Sequence, residues 1–229
     1  MNFEVVLESI EELNEVNLPT IKSVELCAAL QLGGITPSYA TTAYFCEYAV
    51  PEVHVMIRPR AGGFNYNKYE LQLMCEDIKF FAKLGVTGVV FGILDENFKI
   101  EKEHTKRLHF VAKELGLQTT FHRAFDFALD TEYAIKFLVE TGFDRLLTAG
   151  SKKTVDFGKE KLKKWSDNYG EEIQIIAGGG VTFENARQLK SVGLKTLHFN
   201  IKDAILNDNS SMGYEYKLNL NKLVNILNL

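Results

Sequence analysis

Val53-His54-Val55-Met56-Ile57-Arg58 alternates branched aliphatic residues with polar or sulfur-bearing ones, position by position. Successive side chains on a strand point to opposite faces, so Val53, Val55 and Ile57 share one face and His54, Met56 and Arg58 the other. The same parity returns elsewhere: Phe121 opposes Gln118, Thr120 and His122, Leu26 opposes Glu25 and Cys27, and Leu197 opposes His198. An apolar face belongs against a layer of helices, and a polar face needs an interior of its own, which a closed barrel supplies.

Working outward, eight short apolar or β-branched runs begin near Phe3, Val24, Val53, Gly88, Gln118, Asp144, Ile173 and Thr196. Their starts lie 21 to 35 residues apart, the room taken by one strand, one loop and one helix of a few turns. The helix signals between them are legible. Asn67 can cap a helix that carries Leu71, Met74, Ile78 and Phe81 and stops at Gly85; Asp130 and Gly142 bracket a second, and Thr182 and Gly193 a third. The unit after Glu25 is shorter and irregular. Eight βα units without a linker rich in Pro, Gly or Ser leave a closed barrel or an open doubly wound sheet. A doubly wound dinucleotide domain carries GxGxxG directly after its first strand, yet Leu7 to Leu13 holds no glycine, and the glycine-rich turn, Gly178-Gly179-Gly180, follows the seventh run instead. The expectation is an α/β fold: a single-domain TIM (β/α)8 barrel with eight parallel strands over residues 1–229.

Composition narrows the function classes. With 229 residues, 46% hydrophobic and 24% charged, the chain can bury a sizeable core. A net charge of -4 and no local cluster of Lys and Arg argue against a nucleic-acid partner. No apolar run approaches the roughly 20 residues that cross a bilayer. Glu4, Glu8, Glu11, Glu12 and Glu15 stand where a signal peptide would be basic and then apolar, so no membrane partner and a cytoplasmic location are expected. Cys27, Cys46 and Cys75 form no CxxC pair, which predicts reduced thiols rather than a disulfide framework or a zinc knuckle.

In a barrel the last residues of the strands, Cys27, Arg58, His122 and His198, converge on the carboxyl-terminal face, with Arg123 and Asp126 at the same mouth. Each has a structural alternative. Glu4 or Glu25 could form an ion pair with Arg58; His54, early in its strand, reads as a core histidine with its hydrogen bonds satisfied; Cys27 and Met56 suit packing as well as ligation. The triple glycine is either a cradle for an anion or a turn that needs room.

These residues fall in blocks: Glu25-Leu26-Cys27, Gly33-Gly34-Ile35-Thr36-Pro37-Ser38, Met56-Ile57-Arg58-Pro59-Arg60, Phe91-Gly92-Ile93-Leu94, Thr120-Phe121-His122-Arg123-Ala124-Phe125-Asp126 and Gly178-Gly179-Gly180-Val181. In order and content, over residues 3 to 203, the chain resembles the CutC family, named for copper homeostasis. The resemblance implies a TIM barrel throughout, a cytoplasmic protein, and Cu(I) binding or copper handling. Several positions depart from the family pattern: Val6 stands where relatives often carry Cys, Gly63 where they place Asp, Ala149 where they place Ser, and Phe199-Asn200 where they place small residues. Cu(I) prefers two or three soft sulfur ligands, and the interior face offers Cys27 and Met56.

Two readings stand. In one the chain is a copper homeostasis protein with Cys27 and His198 as Cu(I) ligands, His122 being an alternative partner. In the other it is a barrel enzyme for a small anionic metabolite, phosphorylated ones included: Arg58, Arg60, Arg123 and Gly178, Gly179 and Gly180 hold the anion, His122 moves a proton, and Glu25 or Asp126 orients it. Residue chemistry favours the second, because two arginines and a histidine are poor company for a cuprous ion. Assembly into a homo-oligomer is compatible with either.

Overall fold

A computed structural model of the protein describes residues 1–206 and 214–229. Eight strands, β1 (Asn2–Leu7), β2 (Ile21–Leu26), β3 (Glu52–Met56), β4 (Gly88–Phe91), β5 (Gln118–Phe121), β6 (Arg145–Thr148), β7 (Gln174–Ala177) and β8 (Thr196–Phe199), close in sequence order into one barrel, β8 pairing back onto β1. All eight barrel pairings are parallel. Between strands run α1 (Ile10–Val16), α2 (Tyr39–Tyr48), α3 (Lys68–Ala82), α4 (Lys102–Glu114), α5 (Thr131–Thr141), α6 (Val155–Tyr169) and α7 (Phe183–Ser191). No helix among the described residues is long and apolar enough to cross a membrane.

Parity sorts the core as expected. Val53, Val55, Ile57, Leu26, Phe121 and Leu197 belong to the large apolar layer between strands and helices. Val6, Cys27, Met56 and Val90 form a separate small cluster inside the barrel. The cross-strand register continues that interior set: Glu4 lies opposite Ser23 and His198, Glu25 opposite His54, and Thr120 opposite Arg145.

The helix caps follow the local chemistry. Asn67 Oδ1 accepts the N–H groups of Tyr69 and Glu70, while the Glu70 carboxylate accepts that of Asn67, two otherwise orphaned ends satisfied reciprocally. α3 ends at Ala82, three residues before the expected stop. Asp130 caps α5, which Gly142 closes in the left-handed region at φ +90°, and Thr182 caps α7. The irregular unit after β2 contains a short 3-10 turn, Leu30–Leu32, before α2.

Beyond β8 the chain adds elements absent from the sequence reading: an antiparallel pair, β9 (Lys202–Leu206) with β10 (Tyr214–Leu218), and α8 (Leu220–Leu227). They are tied to the first βα unit through Lys202. Its fully buried ammonium meets the carboxylates of Glu8 at 2.5 Å and Glu12 at 3.2 Å.

Candidate functional site

The lowest layer of the site is a buried charge cluster inside the barrel. Glu4 on β1 accepts hydrogen bonds from Ser23 (2.7 Å), from His198 Nδ1 (2.9 Å) and from the Arg145 guanidinium. Burial alone would raise the Glu4 carboxyl, but Arg145 and the bond from His198 outweigh it and hold Glu4 well below the usual carboxylate range. Glu25, one strand over, meets the opposite balance. Burial pushes it up to about 7; His198 and Arg145 oppose that and Glu4 reinforces it. Its Oε2 has no hydrogen-bond partner among the described residues. His198 is raised: burial favours the neutral ring, but the bond to Glu4 and the charges of Glu25 and Glu4 prevail.

Arg145 was invisible to the strand-end argument because it sits at the start of β6, yet it has the interior parity of Leu147. It corrects the expected ion pair, since Glu4 pairs with Arg145 and not with Arg58. His54 is buried as expected, but neither ring nitrogen makes a hydrogen bond among the described residues, which corrects the expectation that they were satisfied. Burial, with Arg145, keeps that ring neutral.

Above this layer lies the mouth. Arg58 is buried, and its guanidinium donates to the carbonyls of Leu32 (2.9 Å), Gly34 (2.8 Å) and Gly62 (2.7 Å). It therefore clamps the loops after β2 and β3 together. Arg60 points away from the mouth to Glu70, Nε to Oε1 at 2.5 Å, and to the carbonyl of Asn65. Phe64 stacks edge-on against His122 with ring centroids 5.1 Å apart. His122 Nδ1 accepts the Ala124 N–H at 3.2 Å, which fixes the ring proton on Nε2. Burial and then Arg58 lower this histidine to about 3, so it stays neutral.

Arg123, which follows at once, is aimed by Asp126: Nε donates to Oδ2 at 2.8 Å and Nη2 to the Lys153 carbonyl at 3.1 Å. Asp126 is itself buried and held by Thr148 and the Ala149 N–H, while burial raises its carboxyl. The guanidinium lies against the glycine turn. A Cβ on Gly179, whose φ is +101°, would stand 2.7 Å from Arg123 Cζ, so only glycine admits that approach. Gly178 is tight for another reason, since a Cβ there would meet Leu147 Cδ1 at 2.5 Å and His198 Cβ at 3.2 Å. The backbone N–H groups of Gly179 and Gly180 have no acceptor among the described residues.

These side chains surround a cavity of about 510 Å³ at the carboxyl-terminal mouth. Glu25, His198, His122, Arg123, Gly179 and Gly180 all reach its wall, with Val6, Met56 and Phe64 as its apolar part. Cys27, Arg58, Asp126 and Gly178 stand behind the wall, and Arg60 lies off it. Asn200, Tyr216 and Lys222 complete the rim. The last two come from β10 and α8, whose sequence offered no strand-end signal. Glu4, Glu25 and His198 each present a ligand atom within 4.8 Å of the others, with Arg145 already compensating Glu4.

Closed strand order, helices outside and a polar pocket over the strand ends define a TIM barrel with its pocket at the carboxyl-terminal mouth. Within that class the chain belongs to the CutC family, whose sequence model matches residues 1–203. A CutC family protein of Bacteroides fragilis (strain YCH46) is 37% identical over 217 residues, 94% of this chain and 84% of the relative. That of Pasteurella multocida (strain Pm70) is 35% identical over 203 residues, 88% of this chain and 82% of the relative. A crystal structure described as the "Putative Copper Homeostasis Protein CutC from Streptococcus agalactiae" superposes with a TM-score of 0.80 at 35% identity, covering 86% of this chain and 97% of that one. A barrel described as KGPDC from Streptococcus mutans, TM-score 0.61 at 10% identity, shares the fold alone.

Proposed function

We propose that the protein is a barrel enzyme for a small metabolite carrying a phosphate or carboxylate. One observation carries this reading: a single cavity is lined both by Arg123 with Gly179 and Gly180, whose N–H groups have no acceptor among the described residues, and by a protonatable pair, Glu25 with His198. Asp126 and the Lys153 carbonyl hold Arg123 in place, so little ordering is left to be done when an anion arrives. Compared with the sequence expectation, the proton-handling role moves from His122 to Glu25, and Arg58 and Arg60 leave the anion site for structural roles. The three cysteines are all free, which supports a reducing, cytoplasmic setting.

Thermal-shift titration with phosphorylated and carboxylated metabolites tests the reading, because a ligand that binds only the folded state raises the melting temperature. A charge-assisted hydrogen bond contributes about 1.5–3 kcal/mol, so Arg123→Ala should weaken anion binding by about tenfold or more. Equal stabilisation of wild type and variant by every ligand would remove the support.

Copper handling, in the sense of the Streptococcus agalactiae relative's description, would run through Cys27 and His198. What favours it is that Cys27 and Met56 are neighbours: a Cβ on Gly34 would lie 3.3 Å from Cys27 Sγ and 3.6 Å from Met56 Cε. The donor set nevertheless fits Cu(I) poorly. Burial, and after it Glu25, push the Cys27 thiol up and so oppose the thiolate; His198 Nδ1 is committed to Glu4; Val6 supplies no further sulfur. In competition against a Cu(I) chelator under reducing conditions, we expect weak binding that disappears in Cys27→Ser. Tight stoichiometric binding that survives the substitution would contradict this.

A further inference from the structure

We propose that Glu25 removes and returns a proton at the carbon beside the carbonyl of a small phosphorylated ketone or aldehyde, while His122 Nε2–H donates a hydrogen bond to the carbonyl oxygen. This rests on the anion-binding reading above and specifies its chemistry.

The two groups are fitted to different halves of that task. His122 cannot take a proton: its Nδ1 already accepts from Ala124 and its Nε2 carries the ring hydrogen. That Nε2 is buried without a partner among the described residues, and the ring reaches the cavity wall. A neutral N–H donor held in a water-poor site is suited to an oxygen that gains negative charge. Arg58 behind the ring and its burial keep it neutral over the working pH range.

Glu25 is also more than nine-tenths buried and reaches the same cavity, and its Oε2 is buried without a hydrogen-bond partner among the described residues. Its neighbour Glu4 is saturated by Ser23, Arg145 and His198, whereas the Glu25 carboxylate accepts no hydrogen bond among the described residues. Two carboxylates in unlike environments take unlike roles, one fixed and one proton-carrying. Glu25 stands on β2 and His122 follows β5, three strands round the barrel, so a substrate between them meets base and donor from different sides. Arg123 and the glycine turn would hold its phosphate, and Val6, Met56 and Phe64 shield the reacting carbon from water.

The step balances without a further reactant. The C–H bond breaks and its proton goes to the Glu25 carboxylate; the electron pair becomes the C=C bond of an enediolate as the carbonyl π pair moves to oxygen, beside His122. The Glu25 carboxyl proton exchanges with solvent, and return of a solvent hydrogen to the same carbon completes the exchange that the experiment reads. Glu25 ends as it began.

The probes are dihydroxyacetone phosphate and ribulose 5-phosphate in D2O, followed by proton NMR for loss of the α-hydrogen signal and by thermal shift for binding. Wild type should exchange the α-hydrogen of at least one probe. Glu25→Gln should bind it with an unchanged thermal shift and exchange it about 100-fold more slowly, or more slowly still, the usual scale for a lost general base. Glu25→Asp, which keeps the carboxylate one methylene back, should retain part of the rate. If a probe stabilises the wild type but exchanges no faster than in Glu25→Gln, the proposal is overturned and the anion reading survives. If neither probe stabilises the wild type and neither exchanges, both fall.

Discussion

Glu4 and Glu25 are buried on adjacent strands, two residues apart in register, and the side chains around them decide that one is fixed as a carboxylate and the other is not. The consequence for stability has a definite sign. Glu25 is raised from 4.5 to about 7 on folding, so its protonated form favours the folded state, and that contribution is present below pH 4.5 and lost as pH rises to about 7. Glu25→Gln removes the loss. The difference in unfolding free energy between variant and wild type should therefore shift in the variant's favour across that window by roughly 3 kcal/mol, each pKa unit being worth about 1.4 kcal/mol. Urea denaturation of both proteins at pH 5 and pH 8 measures it. A difference that does not change between the two pH values would show that Glu25 is ionised throughout in the fold.

At the scale of elements, Arg58 ties the loop after β2 to the loop after β3 through three carbonyls. Arg58→Ala leaves those carbonyls without their donor and opens space beneath Phe64, so it should lower stability by about 2–4 kcal/mol in chemical denaturation. Anion affinity should change far less than in Arg123→Ala, which separates a clamp from a binding group. A large loss of anion binding with normal stability would return Arg58 to the site. The strands were legible because parity is a local property: Val53 to Arg58 alternates, and the alternation survives folding unchanged. The destination of a long side chain is not local. Arg58 and Arg123 look alike in sequence, each next to a strand end, but carbonyls of two loops reach Arg58, and Asp126 turns Arg123 toward Gly179. Arg145 carries no strand-end signal in the sequence, since this partner of Glu4 opens its strand rather than ending it. The hairpin and α8 were missed because no glycine turn or long periodic run announces them, and the residues that resemble the family stop at 203.

Over the whole molecule, the barrel sets eight strand ends around one mouth, and chain segments far apart in sequence each contribute one feature of the cavity. The turn after β5 contributes His122 and Arg123, the turn after β7 its backbone donors, β2 and β8 the protonatable pair, and the carboxyl-terminal elements part of the rim. If this mouth is an anion site built on Arg123 and the glycine turn, with Cys27 outside it, a crystal structure of the protein grown with inorganic phosphate should show it. Phosphate is expected to bond to the Arg123 guanidinium and to the N–H groups of Gly179 and Gly180, within reach of neither Arg58 nor Arg60. Phosphate absent from the mouth, or held by Arg58 or Arg60 instead, would contradict it.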